Sequence, residues 1–248
     1  MQSDVAIVIP IYKAYPSSTE LLSLKRVLEV LSDYDFFFVT SKHVDLTAYE
    51  DLLSYVKSIV IEYFDKESFS SIECYNKLML SVSFYERFSG FSYILIYQLD
   101  AWIFDNNLTE WCSKNYDYIG APWIDWEWSA YHARHLTFPR RVLNRLGYSN
   151  FNLVGNGGLS LRKVKTCISN LKRFSHAITE FKHNEDYFFS FYLTSYNPFF
   201  RIPKVKEALM FSFDVNPRKA FELNDFRLPM ACHAWEKNYD FWEKYIKV

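Results

Sequence analysis

Two adjacent carboxylates, Glu185 and Asp186, an aspartate closing an apolar run, Asp100, and a histidine in apolar surroundings, His233, are the groups of this 248-residue chain best suited to chemistry. A carboxylate pair can divide labour: one member takes the proton of an incoming hydroxyl while the other binds substrate. The plainer alternative makes Asn184 a helix cap and lets both acids favour the helix dipole. Asp100 has a similar alternative, but Asp105 and Asn106 are better placed to cap the helix carrying Leu108, Trp111 and Cys112, which leaves Asp100 free. His233, between Cys232 and Ala234, is by default a satisfied core residue. Three of the six glycines fall in Gly155-Asn156-Gly157-Gly158, more than one tight turn requires. Such a segment lets a ligand approach the backbone closely, and Asn156 can hydrogen-bond its hydroxyls.

The segment from Tyr116 to Asn150 holds Trp123, Trp126 and Trp128 interleaved with Asp125 and Glu127. Tryptophans can fill a core, but next to carboxylates they also suit sugar faces and sugar hydroxyls. From Trp128 to His183 ten lysines and arginines, Arg134, Arg140, Arg141 and Arg145 among them, face the single acid Glu180. A solvated surface explains that run, and so does a phosphate-bearing ligand or an anionic membrane face.

These groups need elements to position them, and the first half supplies an α/β pattern. Val5 to Ile9 is apolar at every position, as in a central strand covered on both faces. Ser17 and Glu20 stand at capping-box spacing before a helix burying Leu21, Leu24 and Leu28. Strands are predicted at Phe36 to Thr40, Ile59 to Phe64 and Tyr93 to Tyr97, and one long amphipathic helix at Ser70 to Phe88. Leu159 to Arg162 is strand-like, Tyr187 to Phe191 helical, and an aromatic helix carries Trp235, Tyr239, Trp242 and Tyr245. In open parallel sheets ligands bind beyond the carboxyl ends of strands, which is where Asp100 falls.

Composition narrows the function classes. Half the residues are apolar and 23% charged, so a disordered chain is excluded. Lys plus Arg number 28 against 29 Asp plus Glu, a balance that argues against duplex nucleic acid as partner. Cys74, Cys112, Cys167 and Cys232 form no CxxC pair, so neither a disulfide framework nor a cysteine zinc site is indicated. No apolar run nears the roughly 20 residues of a membrane span and no signal-type start is present; a cytoplasmic protein is expected, with contact at the inner membrane face if the cationic run meets anionic lipid.

The strand ending in Gln98-Leu99-Asp100, followed by DYIGAPW (117–123), GNGGLSLRK (155–163), NEDYFF (184–189) and CHAW (232–235), resembles bacterial GT-A-type nucleotide-sugar glycosyltransferases. The resemblance spans about residues 5 to 242. It implies a GT-A-like, Rossmann-type α/β fold with a mixed, mainly parallel sheet flanked by helices, in one domain over 1–248 with an acceptor-side insertion at about 121–150. It further implies that Asp100, the last acid of a DxD-like tripeptide, binds a divalent metal, Mn2+ or Mg2+, held by the donor diphosphate, and that His233 completes the metal site. Gln98 stands where the first acid would be, so the metal has one charge fewer. Asp186 becomes the general base and Glu185 the holder of donor-sugar hydroxyls. Pro10, Ile11, Tyr12, Lys13, Asn76 and Lys77 correspond to nucleotide contacts, with Gln98 and Asp100; Trp123, Asn156, Gly157, Gly158 and Glu185 to the sugar and acceptor side. The implied partners are a nucleotide-sugar, a UDP-sugar foremost, and a glycan or lipid-linked glycan, with a single displacement that inverts the anomeric centre.

Two other classes stay open. A nucleotidyltransferase acting on sugar phosphates also uses an α/β sheet and aspartates, although Ile11 to Pro16 has no glycine for a phosphate loop. A non-catalytic carbohydrate-binding protein accounts for the aromatics and for GNGG but has no use for Asp100, Asp186 and His233 together.

Overall fold

The structure, a computed structural model, describes residues 4–56, 59–124 and 154–247. Trp126, Trp128, Arg134, Arg140, Arg141, Arg145 and most of the 121–150 insertion lie outside the described residues.

The predicted α/β architecture is present. Six strands form one sheet: β1 (Val5–Pro10), β2 (Asp35–Thr40), β3 (Ile59–Tyr63), β4 (Tyr93–Tyr97), β6 (Tyr118–Gly120) and β7 (Leu159–Lys163), in the order β3-β2-β1-β4-β7-β6. The first four run parallel, and β7 is antiparallel to both β4 and β6. Three short strands, β5 (Trp102–Ile103), β8 (Ser212–Phe213) and β9 (Ala231–Cys232), make a second sheet ordered β5-β9-β8. β1 is apolar throughout because both faces are covered: Val5, Ile7 and Ile9 enter one apolar cluster, Ala6 and Val8 the opposite one, and β4 alternates likewise. A third cluster, built on Trp102, Trp235, Phe241 and Trp242, seals the small sheet.

Local signals were accurate where the chain satisfies its own backbone. Helix α1 (Ser18–Val30) begins with the predicted capping box: Glu20 N donates to Ser17 Oγ at 3.2 Å and Ser17 N donates to Glu20 Oε2 at 2.6 Å. The long helix predicted over 70–88 is instead two, α2 (Ile72–Met79) and α3 (Val82–Glu86). Ser81 divides them, accepting from Phe84 N at 3.3 Å as a new N-cap while donating to Leu78 O at 2.8 Å. Neither Asp105 nor Asn106 caps α4 (Leu108–Ser113); Asn107 holds the cap position, and its Oδ1 accepts from the Trp111 indole at 3.1 Å. The aromatic C-terminal segment is a 3-10 turn, Trp235–Asn238, and one α-turn, Tyr239–Trp242. Among the described residues no helix is long and apolar enough to cross a membrane.

Candidate active site

β1 leads to β2 on one side, yet its other neighbour is β4, so a crevice opens beyond their carboxyl ends at the point where strand order reverses. Because β7 is antiparallel, with Tyr97 opposite Leu159, its start lies at the end of β4. Gly158 therefore stands beside Gln98, whose N donates to Gly158 O at 2.8 Å. The small sheet completes the wall. Phe213 pairs with Cys232 and Trp102 with Cys232, so the residues that follow β8 and β9, Asp214 and His233, meet the segment that joins β4 to β5 at Asp100.

The resulting cleft of about 470 Å³ is lined by Pro10, Tyr12, Tyr75, Asn76, Gln98 and Asn156, by Gly157 and Gly158, by Asn184, Glu185 and Asp186, and by His233. Asp100 faces an adjoining hollow of about 320 Å³ that shares Tyr12 and Gln98 with the cleft and adds Lys13 and Lys237. His233 bridges the two: its Nε2 lies 3.1 Å from Asp100 Oδ1 and 3.4 Å from Gln98 Oε1. Its Nδ1 lies 3.1 Å from Asp214 Oδ1 and 3.2 Å from Asn156 Nδ2. Burial works against a charge on this imidazole, but Asp100 and Asp214 outweigh it and push the pKa up to about 9.

The acidic pair sits across the cleft at the start of the helical run 185–196, which passes through a π-helical stretch, Phe188–Leu193. Its aromatic side chains anchor the run in the core, Phe188 and Phe189 both fully buried. Asn184 does not cap with its side chain; it accepts from Asn76 Nδ2 at 3.1 Å, and Asn76 Oδ1 accepts from Glu185 N at 3.1 Å. Glu185 is buried in a 2.6 Å ion pair with Arg162 Nη2, whereas the carboxylate of Asp186 is bonded only to its neighbour, accepting from Tyr187 N at 2.7 Å among the hydrogen bonds described. Burial, and then the Glu185 charge, push the Asp186 pKa up to about 7. A carboxyl poised there exchanges a proton near neutral pH.

Not every expected residue reaches the cleft. Ile11 is 1% exposed and its side chain packs in the core. Lys77 pairs with Glu73 at 2.7 Å on the exposed face of α2 and is absent from the lining. Trp123 stacks on Tyr187 and packs over Gly155 instead of facing the cleft. Lys13 pairs with Glu20 at 2.7 Å at the rim of the smaller hollow. The glycines also have another cause than a ligand against the backbone. A Cβ on Gly157 would overlap the Glu185 carboxylate, one on Gly158 would overlap His233 Nε2, and one on Gly155 would lie 2.7 Å from Trp123 Cζ2. The segment is small so that the protein's own site side chains can cross it. Sequence reasoning missed Arg162 and Asp214. The only signals were a cation following the alternating Leu159-Ser160-Leu161 and an acid ending Phe211-Ser212-Phe213.

Among the described residues no group of three or more His, Cys, Asp and Glu surrounds a common point. Asp100 and His233 with the Gln98 amide oxygen still form a donor set of the right chemistry for Mn2+ or Mg2+, since such ions bind through one or two protein groups plus ligand phosphates. Asp214 behind Nδ1 supplies the carboxylate that orients a ligating imidazole.

The model of a family described as "Protein of unknown function (DUF5672)" matches residues 58–233. No curated protein sequence matches the chain. Among solved structures, mouse xyloside xylosyltransferase 1 is similar with a TM-score of 0.56 at 11% identity, over 94% of this chain and 97% of that one. The galactosyltransferase LgtC, determined with donor and acceptor sugar analogues, has a TM-score of 0.53 at 12% identity, over 92% and 86%. The bifunctional glycosyltransferase WbbM has a TM-score of 0.57 at 11% identity, over 94% of this chain and 46% of that one. At such identities the likeness is one of fold, and the expected GT-A-type architecture is the one observed.

Proposed function

The chain belongs to the DUF5672 family, and from its cleft we propose that it is a glycosyltransferase that moves a sugar from a nucleotide-sugar, foremost a UDP-sugar, to a hydroxyl of a glycan or lipid-linked glycan. The observation that carries this reading is the convergence of His233, Glu185 and Asp186 from distant parts of the chain on one cleft at the strand-order reversal, with Asp100 in the adjoining hollow 3.1 Å from His233. A binding module would have no use for a proton-exchanging carboxylate opposite a cation-binding pole.

In this reading the whole chain acts as one domain, with the 121–150 segment on the acceptor side. Asp100, His233 and Gln98 would hold Mn2+ or Mg2+, which when bound neutralises charge building on the departing diphosphate. Pro10, Tyr12 and Asn76 border the nucleotide, Asn156 and the two following glycines the sugar. Glu185 fixes the donor-sugar hydroxyls. Asp186 takes the proton of the acceptor hydroxyl as its oxygen bonds the anomeric carbon; the bond from that carbon to the phosphate oxygen breaks, and the nucleoside diphosphate leaves with the electron pair. Attack opposite the leaving group inverts the anomeric centre; of the two cleft carboxylates, Glu185 is engaged by Arg162, which supports a single displacement in this reading.

The test is release of nucleoside diphosphate from a panel of nucleotide-sugars, with and without manganese. Release from at least one donor, reduced about 10²–10⁴-fold in Asp186→Asn, is expected. No binding of any nucleotide-sugar would overturn the reading.

A further inference from the structure

Arg162 is wholly buried, and it takes no step in the chemistry above. A guanidinium taken out of water is costly unless its donors are met, and here all three nitrogens donate, Nη2 to two residues that line the cleft. Nη2 donates to Glu185 Oε1 at 2.6 Å and to Gly157 O at 3.3 Å, Nη1 to Tyr85 OH at 2.9 Å, and Nε to Ser160 Oγ at 2.9 Å. The cation also lies over the rings of Tyr118 and Phe189, 5.4 and 5.3 Å from their centroids. Apolar residues of similar volume fill a core at least as well as a buried ion pair, so packing alone does not account for a cation here.

We propose that Arg162 is a positioning residue of this site: it locks the Glu185 carboxylate against the Gly157 backbone, so that Glu185 is engaged in that ion pair and Asp186 is the member of the acidic pair left to take up a proton. The chemical meaning rests on the sugar-transfer reading; the geometry does not. The groups acting on Asp186 come from several elements: Glu185 on its own helix, Arg162 on β7, Asp214 after β8 and Tyr118 on β6, with the Tyr187 N–H donating to its carboxylate. Of these only Arg162 is cationic, and Glu185 is the anion it holds in contact.

The test is a carboxyl carbon NMR titration of Asp186, assigned by its loss in Asp186→Asn, in the parent, Arg162→Lys, Arg162→Met, Glu185→Gln and the Arg162→Met/Glu185→Gln double variant, with circular dichroism as the fold control. Removing the cation should raise the Asp186 midpoint by about one unit or more, and removing the Glu185 charge should lower it. Where Arg162→Met alone does not fold, the double variant, which buries no unpaired charge, is compared with Glu185→Gln, and its midpoint should be the higher. Arg162→Lys keeps the charge but loses the fork, so the midpoint should stay while the donor KM for the best UDP-sugar rises about tenfold. A midpoint unmoved by loss of Arg162 in both backgrounds overturns the proposal. Failure of the parent to bind UDP-sugars with manganese would sink the sugar-transfer reading, and the titration would still decide the role of Arg162.

Discussion

Asp186 meets two demands that pull against each other: burial beside Glu185 raises its proton affinity, and catalysis as a base requires it ionised. With the pKa at about 7, transfer should rise with pH through that value, because only the carboxylate accepts a proton. Stability should move the other way. The native state keeps a proton that the unfolded chain has released by about pH 4, so the parent loses stability as pH rises from about 4 to about 7. Asp186→Asn removes that penalty. It should unfold at higher denaturant than the parent at pH 8, by on the order of 4 kcal/mol at about 1.36 kcal/mol per pKa unit, and match it near pH 4. Urea titrations at both pH values check this; a variant less stable than the parent at pH 8 would make Asp186 a structural residue. At the opposite pole His233→Ala has a separate signature. In the parent, manganese should strengthen UDP binding measured by calorimetry. In the variant the two titrations, with and without metal, should coincide.

The elements that carry these residues differ in how much of them the sequence reveals. The Ser17 and Glu20 box was readable because cap and partner lie within one turn, and β1 because burial on both faces writes an unbroken apolar run. Asp100 was readable at the end of Tyr93–Tyr97 for the same reason. The glycine segment was readable as a place where side chains are excluded, but not why. The atoms that exclude them, on Glu185 and His233, come from elements 28 and 75 residues away by the numbering of Gly157 and Gly158. Arg162 and Asp214 escaped for a related reason: strand pairing alone decides that a cation on β7 points inward and that an acid after β8 lands beside a residue after β9. A direct consequence concerns Gly158→Ala. The new methyl must displace His233 and Gln98, so metal-assisted UDP binding should fall at least tenfold while overpacking costs about 1–3 kcal/mol. Gly90→Ala, where the added carbon meets nothing within 4 Å, is the control and should bind as the parent does. Equal binding by both variants would detach the glycine segment from the cation-binding pole.

Across the whole molecule the crevice is a seam. One wall is the six-stranded sheet and the Glu185 helix. The other is the small sheet, joined to the first through the Gln98-Leu99-Asp100 segment and the Asp100 to His233 contact of 3.1 Å. Where the seam meets the cleft its contacts are polar and partly exposed: Asp100 keeps 38% of its side-chain surface, and His233 spends its nitrogens on carboxylates and amides. Beneath them the two sheets share an apolar cluster, in which Ile103 and Ala231 of the small sheet join Ile7, Leu95 and Leu161 of the large one. A diphosphate with its cation would lie across Asp100, His233 and Lys237, and its binding energy would add to the polar part of the join. At 100 times its dissociation constant a ligand stabilises the native state by about 2.7 kcal/mol. For a chain of this size that raises the unfolding midpoint by about 5–10 °C. UDP with manganese should produce such a shift in a thermal melt, and Asp100→Asn should lose most of it, because the amide leaves the shape of the seam unchanged and removes the charge that holds the cation. The comparison separates a ligand that bridges the two sheets from one seated on the large sheet alone. If Asp100→Asn keeps the full shift, the nucleotide is bound without the small sheet, and the cation-binding pole must be sought elsewhere in the cleft.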